Sequence, residues 1–193
     1  MRSSFETLAV HAGRGGLAGL GVHAPPLDLS STYPLGALDE ATASLEALAA
    51  GGSTAANPVY ARLHNPTTAR FEQALAELEG TAEAVSFGSG MAALTACLLA
   101  ARARRGGSHV VAVRPLYGCS DHLLTSGLLG MTVTWTSAAG VASAIRPDTV
   151  LVVLETPGNP TLRLIDVRDV VRQAGEVPVL VDSTFATPVL QTP

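Results

Sequence analysis

The chain has 193 residues with 12 basic against 16 acidic side chains, a formal net charge of −4, and every basic residue is an arginine. Without lysine these residues hold no Schiff-base amine, phosphate-loop lysine or lysine general base, and the mild acidity argues against a broad nucleic-acid or anionic-membrane surface. Hydrophobic residues make up 47% and aromatics only 4%, so Ala, Val and Leu must build the core of one domain, or one and a fraction.

Residues 1–36 read as an irregular arm. Glycines at 13, 15, 16, 19 and 21 precede Pro25-Pro26, and no helical or alternating period runs through the segment. It is either a flexible terminus or a segment lying on a neighbouring subunit. No apolar signal-peptide core opens the chain. Met91–Ala101, the longest nearly apolar run, is too short to span a bilayer. Two cysteines and five histidines show no disulfide or metal spacing. A soluble, reduced, cytoplasmic protein is the expectation.

A helix is expected over Asp39–Ala50, with Leu45 and Leu48 inward and Gly51-Gly52 closing it. A loop through Asn57-Pro58 and Asn65-Pro66 follows. Thr67 or Thr68 is the expected N-cap of a helix carrying Phe71, Leu75 and Leu78, with Gly80 after it. From there strands and helices alternate: a strand over Ala82–Phe87, a helix over Gly90–Arg105, a strand over His109–Arg114 and a helix over Ser120–Leu129. A strand over Met131–Ser137, a short helix over Val141–Ile145, a strand over Thr149–Glu155, a helix over Asp166–Ala174 and a strand over Pro178–Ser183 complete the pattern. Near-continuous apolar strands alternating with helices predict an α/β fold, a mainly parallel sheet with helices on both faces. Ligands of such sheets lie beyond the carboxyl ends of the strands. Gly88–Met91, Pro115–Cys119, Glu155–Asn159 and Asp182–Thr184 stand there.

Each segment has a chemical and a plain reading. Gly88-Ser89-Gly90-Met91 leads a strand into a helix, where free N–H groups and the positive dipole end favour an anion; otherwise it is a tight turn. The same glycines fit a dinucleotide fingerprint, with Arg114 at the next strand end suited to a 2′-phosphate. Tyr60 and Arg62 offer a hydroxyl and a guanidinium fork to phosphate, or form a solvated loop. Tyr117 can stack on a planar ring, or fill a core turn. Cys119 reads as an inert thiol. Asp182 ends an apolar strand, where an unpaired carboxylate is costly, so it should face a cation; the plain reading is a helix N-cap, and Phe185-Ala186-Thr187-Pro188 does not promise a helix.

Together these segments resemble the Cys/Met-metabolism family of pyridoxal-phosphate enzymes, which includes cystathionine γ-synthase, cystathionine γ-lyase, methionine γ-lyase and homoserine sulfhydrylases. The residues carrying the resemblance occur in one order: Thr7–Gly13, Ser31-Thr32-Tyr33, Tyr60–Arg62 with Asn65-Pro66-Thr67, Ser89–Ala93, Leu116-Tyr117-Gly118, Glu155–Thr161 and Val181–Pro188. The resemblance implies a fold-type I large domain ending before the C-terminal domain, with an arm and first helix over residues 1–50 and a partial cofactor domain over 51–193. It implies that Ser89, Gly90 and Met91 hold the cofactor phosphate, and that Tyr60 and Arg62 reach it from the neighbouring subunit of a homodimer or tetramer. It further implies that Tyr117 stacks on the ring as a candidate for proton transfer and that Asp182 pairs with the ring nitrogen. Thr184 would lie near the phosphate, and Glu155 and Asn159 near the ring hydroxyl. The implied activity is γ-elimination or γ-replacement on sulfur amino acids or homoserine esters. Three departures stand out, the missing Schiff-base lysine being the decisive one. Ser183 replaces the asparagine common after the aspartate, and Gly118-Cys119-Ser120 is spelled as in methionine γ-lyases, which leans toward a lyase. The Schiff-base lysine of the family, in a Ser-x-x-Lys segment beyond Asp182, is absent; these residues alone are therefore expected to be inactive, a truncated product of such an enzyme or a remnant pairing with a full-length homologue.

Overall fold

Valine-rich runs form the core of residues 87–193 because β-branched side chains suit a pleated sheet covered on both faces. The structure is a computed structural model that describes residues 4–52 and 57–193; residues 1–3 of the expected arm and 53–56 of the expected loop lie outside the described residues. The chain divides into two compact units, Met1–Ser86 and Phe87–Pro193.

The second unit carries a four-stranded sheet of β1 (His109–Val113), β2 (Thr132–Thr136), β3 (Thr149–Glu155) and β4 (Val179–Asp182), in the order β2-β1-β3-β4. All three pairings are parallel. Every residue of β1 and β3 is buried. Their side chains alternate between two apolar layers. Val110, Ala112 and Val153 pack with Leu98 of α4 (Gly90–Arg105) and Leu124 of α5 (Gly118–Thr125). Val111, Val113, Val152 and Leu154 pack on the other face with Val141 of α6 (Val141–Ala144) and with Val170 and Ala174 of α7 (Val167–Ala174). A register shift between His109 and Val110 sets Val150 and Leu151 in the same layer. At the amino end of the sheet Gly107 is obligatory, because a β-carbon there would lie 2.2 Å from the Asp148 carbonyl oxygen.

His109, fully buried at the start of β1, was not singled out by sequence. Its ring nitrogens meet Thr149 Oγ1 at 2.7 Å and Thr134 Oγ1 at 2.9 Å. Burial, then the neighbouring Arg146 charge, holds it below the ordinary histidine range, with Asp148 opposing.

The first unit holds α1 (Phe5–His11), α2 (Leu38–Ala49) and α3 (Pro66–Glu79). Four expectations change. The arm is not irregular throughout: Ser4 Oγ accepts the Thr7 N–H at 3.4 Å and opens α1, a one-sided surface helix with no buried residue and hence no apolar period to read. Beyond it Arg70 donates to the carbonyls of Gly13 and Gly15, pinning the glycine-rich stretch to α3. Leu45 is exposed, since α2 turns Ala41 and Ser44 inward instead. The N-cap of α3 is Asn65, not Thr67 or Thr68: Pro66 presets the first helical φ, and Asn65 Oδ1 accepts the N–H of both threonines at 3.0 and 3.1 Å. Residues 82–87 form no strand, and Val85 is 72% exposed. A fifth change lies near the chain's end, where Thr187–Leu190 forms a one-turn helix, α8.

Candidate active site

Three of the four strand-end segments named by the sequence, among them the start of α4, converge on a cleft of about 230 Å³ in the second unit, and Glu155–Asn159 does not line it. One wall is the α4 face of Gly90, Ala93, Leu94 and Cys97, whose spacing places them on one stripe. Leu116 and Ser120 come from the β1–α5 connection, Val153 from β3 and Leu180 from β4, with Asp182, Ser183 and Thr184 at the rim. Cys97 and Ser120 were not singled out as site residues; the helical spacing of Cys97 from Gly90 was the available signal.

The start of α4 leaves main-chain N–H groups open. Ser89 is the N-cap, and its Oγ accepts the Ala92 N–H at 3.1 Å while its carbonyl takes Ala93. The amides of Gly90 and Met91 are thereby left without intrahelical partners. A β-carbon at Gly88 or Gly90 would meet nothing within 4 Å, so the space above both is open.

At the sheet edge, Glu155 and Asp182 are register partners at the carboxyl ends of β3 and β4. Glu155 is 4% exposed. One of its oxygens accepts the Tyr117 N–H and the other the Asn159 N–H at 2.9 Å. Burial pushes its carboxyl above the ordinary range; those two amides oppose the rise and the Asp182 charge adds to it. Asp182 Oδ1 accepts the Thr184 N–H at 3.1 Å and its hydroxyl. Asp182 is not an N-cap, since Ala186 holds that place in α8, and among the described residues no cation pairs with it. Asp182 lines the rim of the cleft.

Tyr117 stands at the N-cap position of α5 with its ring 42% exposed. The Cys119 thiol donates to its hydroxyl at 3.4 Å. That hydrogen bond, then the charge Cys119 would carry, holds the phenol above its ordinary range. Arg114, the residue on which a dinucleotide reading depends, is already engaged. It binds both oxygens of Asp121 at 2.8 and 3.2 Å and stacks 4.0 Å over the Trp135 ring.

In the first unit, the Arg62 guanidinium lies 4.7 Å from the centroid of the Tyr60 ring. Among the described residues no carboxylate pairs with Arg62. Tyr60 bridges Thr32 of the arm, and Asn65 ties the following turn to the Asp28 carbonyl and the Tyr33 hydroxyl. Among the described residues no group of three metal-ligating side chains gathers, and no helix is long and apolar enough to cross a membrane.

The family model for Cys/Met metabolism PLP-dependent enzymes matches residues 6–193. The chain belongs to this family. Its relatives include an L-methionine γ-lyase of Streptomyces avermitilis, 60% identical over 191 residues, which are 98% of this chain and 46% of the relative. An L-methionine γ-lyase of Brevibacterium sandarakinum is 57% identical over 97% of this chain and 48% of its own length. Among solved structures, metB from Corynebacterium glutamicum superposes with a TM-score of 0.82 at 30% identity, covering 99% of this chain and 48% of that one. A cystathionine γ-lyase from Lactobacillus plantarum, complexed with L-serine, gives 0.82 at 29% with 99% and 47% covered. The chain thus spans about half the length of the relatives it matches. Its parallel sheet with helices on both faces is the fold-type I arrangement expected from the Cys/Met-metabolism resemblance, and the family's cofactor is pyridoxal phosphate.

The residues present fit that cofactor. The open glycine space and two free amides suit a phosphate, and a carboxylate without a cation partner among the described residues suits a protonated ring nitrogen.

Proposed function

We propose that this chain carries the cofactor-binding half-site of a trans-sulfuration enzyme of the methionine γ-lyase type. The observation that carries the reading is the juxtaposition, around one cleft, of the bare α4 N-terminus and Asp182. Anion donors and a cation acceptor then face a single planar ligand with a phosphate at one end and a basic ring nitrogen at the other.

In this reading the Gly90 and Met91 amides and Ser89 bind the phosphate. Asp182 holds a proton on the ring nitrogen, and Thr184 orients Asp182 through its N–H and hydroxyl. Tyr117 covers one ring face and stands near enough to Cys119 to exchange a proton with it or with substrate. Asn159 lies by the ring hydroxyl. When bound, pyridoxal phosphate supplies an electron sink for negative charge at a substrate carbon. Tyr60 and Arg62, stacked together and lacking a carboxylate partner among the described residues, reach the phosphate of a neighbouring subunit in a homo-oligomer. The Gly118-Cys119-Ser120 spelling and the named relatives both favour γ-elimination from a sulfur amino acid. These 193 residues contain no lysine to join the cofactor covalently, so we propose that they do not turn over substrate by themselves, in a cytoplasmic setting with no nucleic-acid or membrane partner.

Equilibrium dialysis of the chain against pyridoxal 5′-phosphate, with inorganic phosphate as competitor, tests the reading. Saturable binding displaced by phosphate is expected; no binding at millimolar cofactor overturns it. Mixing with a full-length methionine γ-lyase tests the role of Tyr60 and Arg62. Mixed oligomers are expected, and their cofactor affinity should fall when Arg62 is replaced by alanine.

A further inference from the structure

Glu155 is a deeply buried carboxylate, and among the described residues it has no cation within ion-pair distance. Buried charges ordinarily carry such a partner. Each of its oxygens is instead used on a main-chain N–H, one from Tyr117 and one from Asn159. The two donors belong to different loops, one leaving β1 and one leaving β3. One carboxylate therefore closes both against the sheet edge.

Besides Glu155, the first turn of α5 holds the Tyr117 main chain, where its carbonyl accepts the Asp121 N–H at 3.0 Å. Tyr117 has no side-chain cap, and Cys119 is its one side-chain hydrogen-bond partner among the described residues. The place of its ring follows from its main chain, whose N–H is held by Glu155. The Asn159 loop has more support, since Gly158 N–H donates to the Arg163 carbonyl at 2.9 Å and Ile165 N–H to Thr156 Oγ1 at 3.0 Å. Its first turn still hangs on Glu155.

We propose that Glu155 is a positioning residue, which does not touch the cofactor but sets Tyr117 and Asn159 in place by accepting both of their amide hydrogens. This rests on the reading of the cleft as a pyridoxal-phosphate site. Only an ionised carboxylate serves, because it accepts at both oxygens, whereas glutamine turns an NH₂ donor toward one of the two N–H groups. The fold opposes the ionisation of Glu155, since burial raises its pKa.

The test uses the 193-residue protein with E155Q and E155D. Amide hydrogen exchange at Tyr117 and Asn159 is followed by NMR, and pyridoxal 5′-phosphate and inorganic phosphate are titrated separately. Both amides should be protected in the unsubstituted protein, and E155Q should lose protection at one or both. Cofactor affinity should fall on the order of tenfold and the circular dichroism of the bound ring should weaken. Affinity for inorganic phosphate, held at the start of α4, should not change. E155D, with its chemistry kept and its reach shortened, should recover part of the loss, and it takes the place of E155Q if that variant does not fold. Unchanged exchange in the variant overturns the proposal, as does lost protection with unchanged cofactor affinity and dichroism. If the unsubstituted protein binds phosphate but no cofactor, the reading of the cleft fails, and the exchange rates alone decide the role of Glu155.

Discussion

Gly90 is the residue where sequence and site meet most directly. A side chain there has room, since a β-carbon meets nothing within 4 Å, and valine is no worse a helix former than glycine. Gly90→Val should therefore melt at the temperature of the unsubstituted protein. It should also lose the thermal shift given by phosphate or pyridoxal phosphate, because the side chain fills the space an anion needs. Scanning calorimetry with and without ligand checks both halves. Asp182→Asn keeps an acceptor for the Thr184 N–H and removes the charge facing a ring nitrogen; cofactor affinity should fall about tenfold with phosphate affinity unchanged. Glu155 gives a pH signature. Its carboxyl is harder to ionise in the folded chain, so its contribution to stability is complete below the ordinary glutamate value of about 4.3 and is lost as pH rises through the raised folded value. The stability of the unsubstituted protein relative to E155Q, measured by urea unfolding, should decline with rising pH across that window. Asp121 and Asp169, held low by Arg114 and Arg172, act in the opposite sense in both proteins and cancel in the comparison. Glycines and Asp182 were legible because glycine spacing and a carboxylate on an apolar strand are visible in sequence. The double use of Glu155 was not, because its partners are main-chain groups that no residue type announces.

Among the elements, those with a strong apolar run and glycine stops were read most closely. The expected bounds of α4 and β3 coincide with those observed. In both, the period of burial and the end signals agree. The segment 82–87 shows the opposite case: its composition suits a strand, but among the described residues no ladder pairs with it. Strand formation needs a neighbour, which local sequence does not reveal. The α3 cap was missed by two or three residues because the two threonines drew attention from Asn-Pro, the stronger pair. Asn65→Ala should cost about 1–2 kcal/mol in chemical unfolding through loss of the cap. Asn65→Asp keeps the cap and loses the Nδ2 donors to Asp28 and Tyr33, so it should preserve most stability while hydrogen exchange around residues 28–33 speeds up. In β3, Leu154 is fully buried between the sheet and α7, and Leu154→Ala should cost about 2–5 kcal/mol, read from the urea midpoint.

Across the whole molecule, many large apolar side chains face outward. Leu27, Leu29, Leu38, Leu128, Leu164 and Leu190 are each more than 70% exposed. β4 presents a half-buried Val-Leu-Val edge to which, among the described residues, no further strand is added. Exposed apolar surface and an open strand edge both promote association. The purified protein should sediment as an oligomer or aggregate and bind a hydrophobic dye; a dye-free monomer that unfolds cooperatively would contradict this. The lysine-free composition makes a second whole-chain prediction. Borohydride reduction in the presence of pyridoxal phosphate should label no internal peptide, as mapped by mass spectrometry, because only the N-terminal amine is available.

The strand order β2-β1-β3-β4 has a further consequence in time. Parallel neighbours require crossovers, so each pairing closes a long loop, and folds of that kind assemble slowly. During synthesis β1 and α4 emerge well before Asp182, which arrives on the last strand. The open α4 N-terminus at residues 89–91, proposed to hold the phosphate, can therefore form while Asp182 is still in the ribosomal tunnel. Cofactor added to a refolding reaction should leave the early collapse rate unchanged and act only on the final docking of β4, where its two ends are first grasped together.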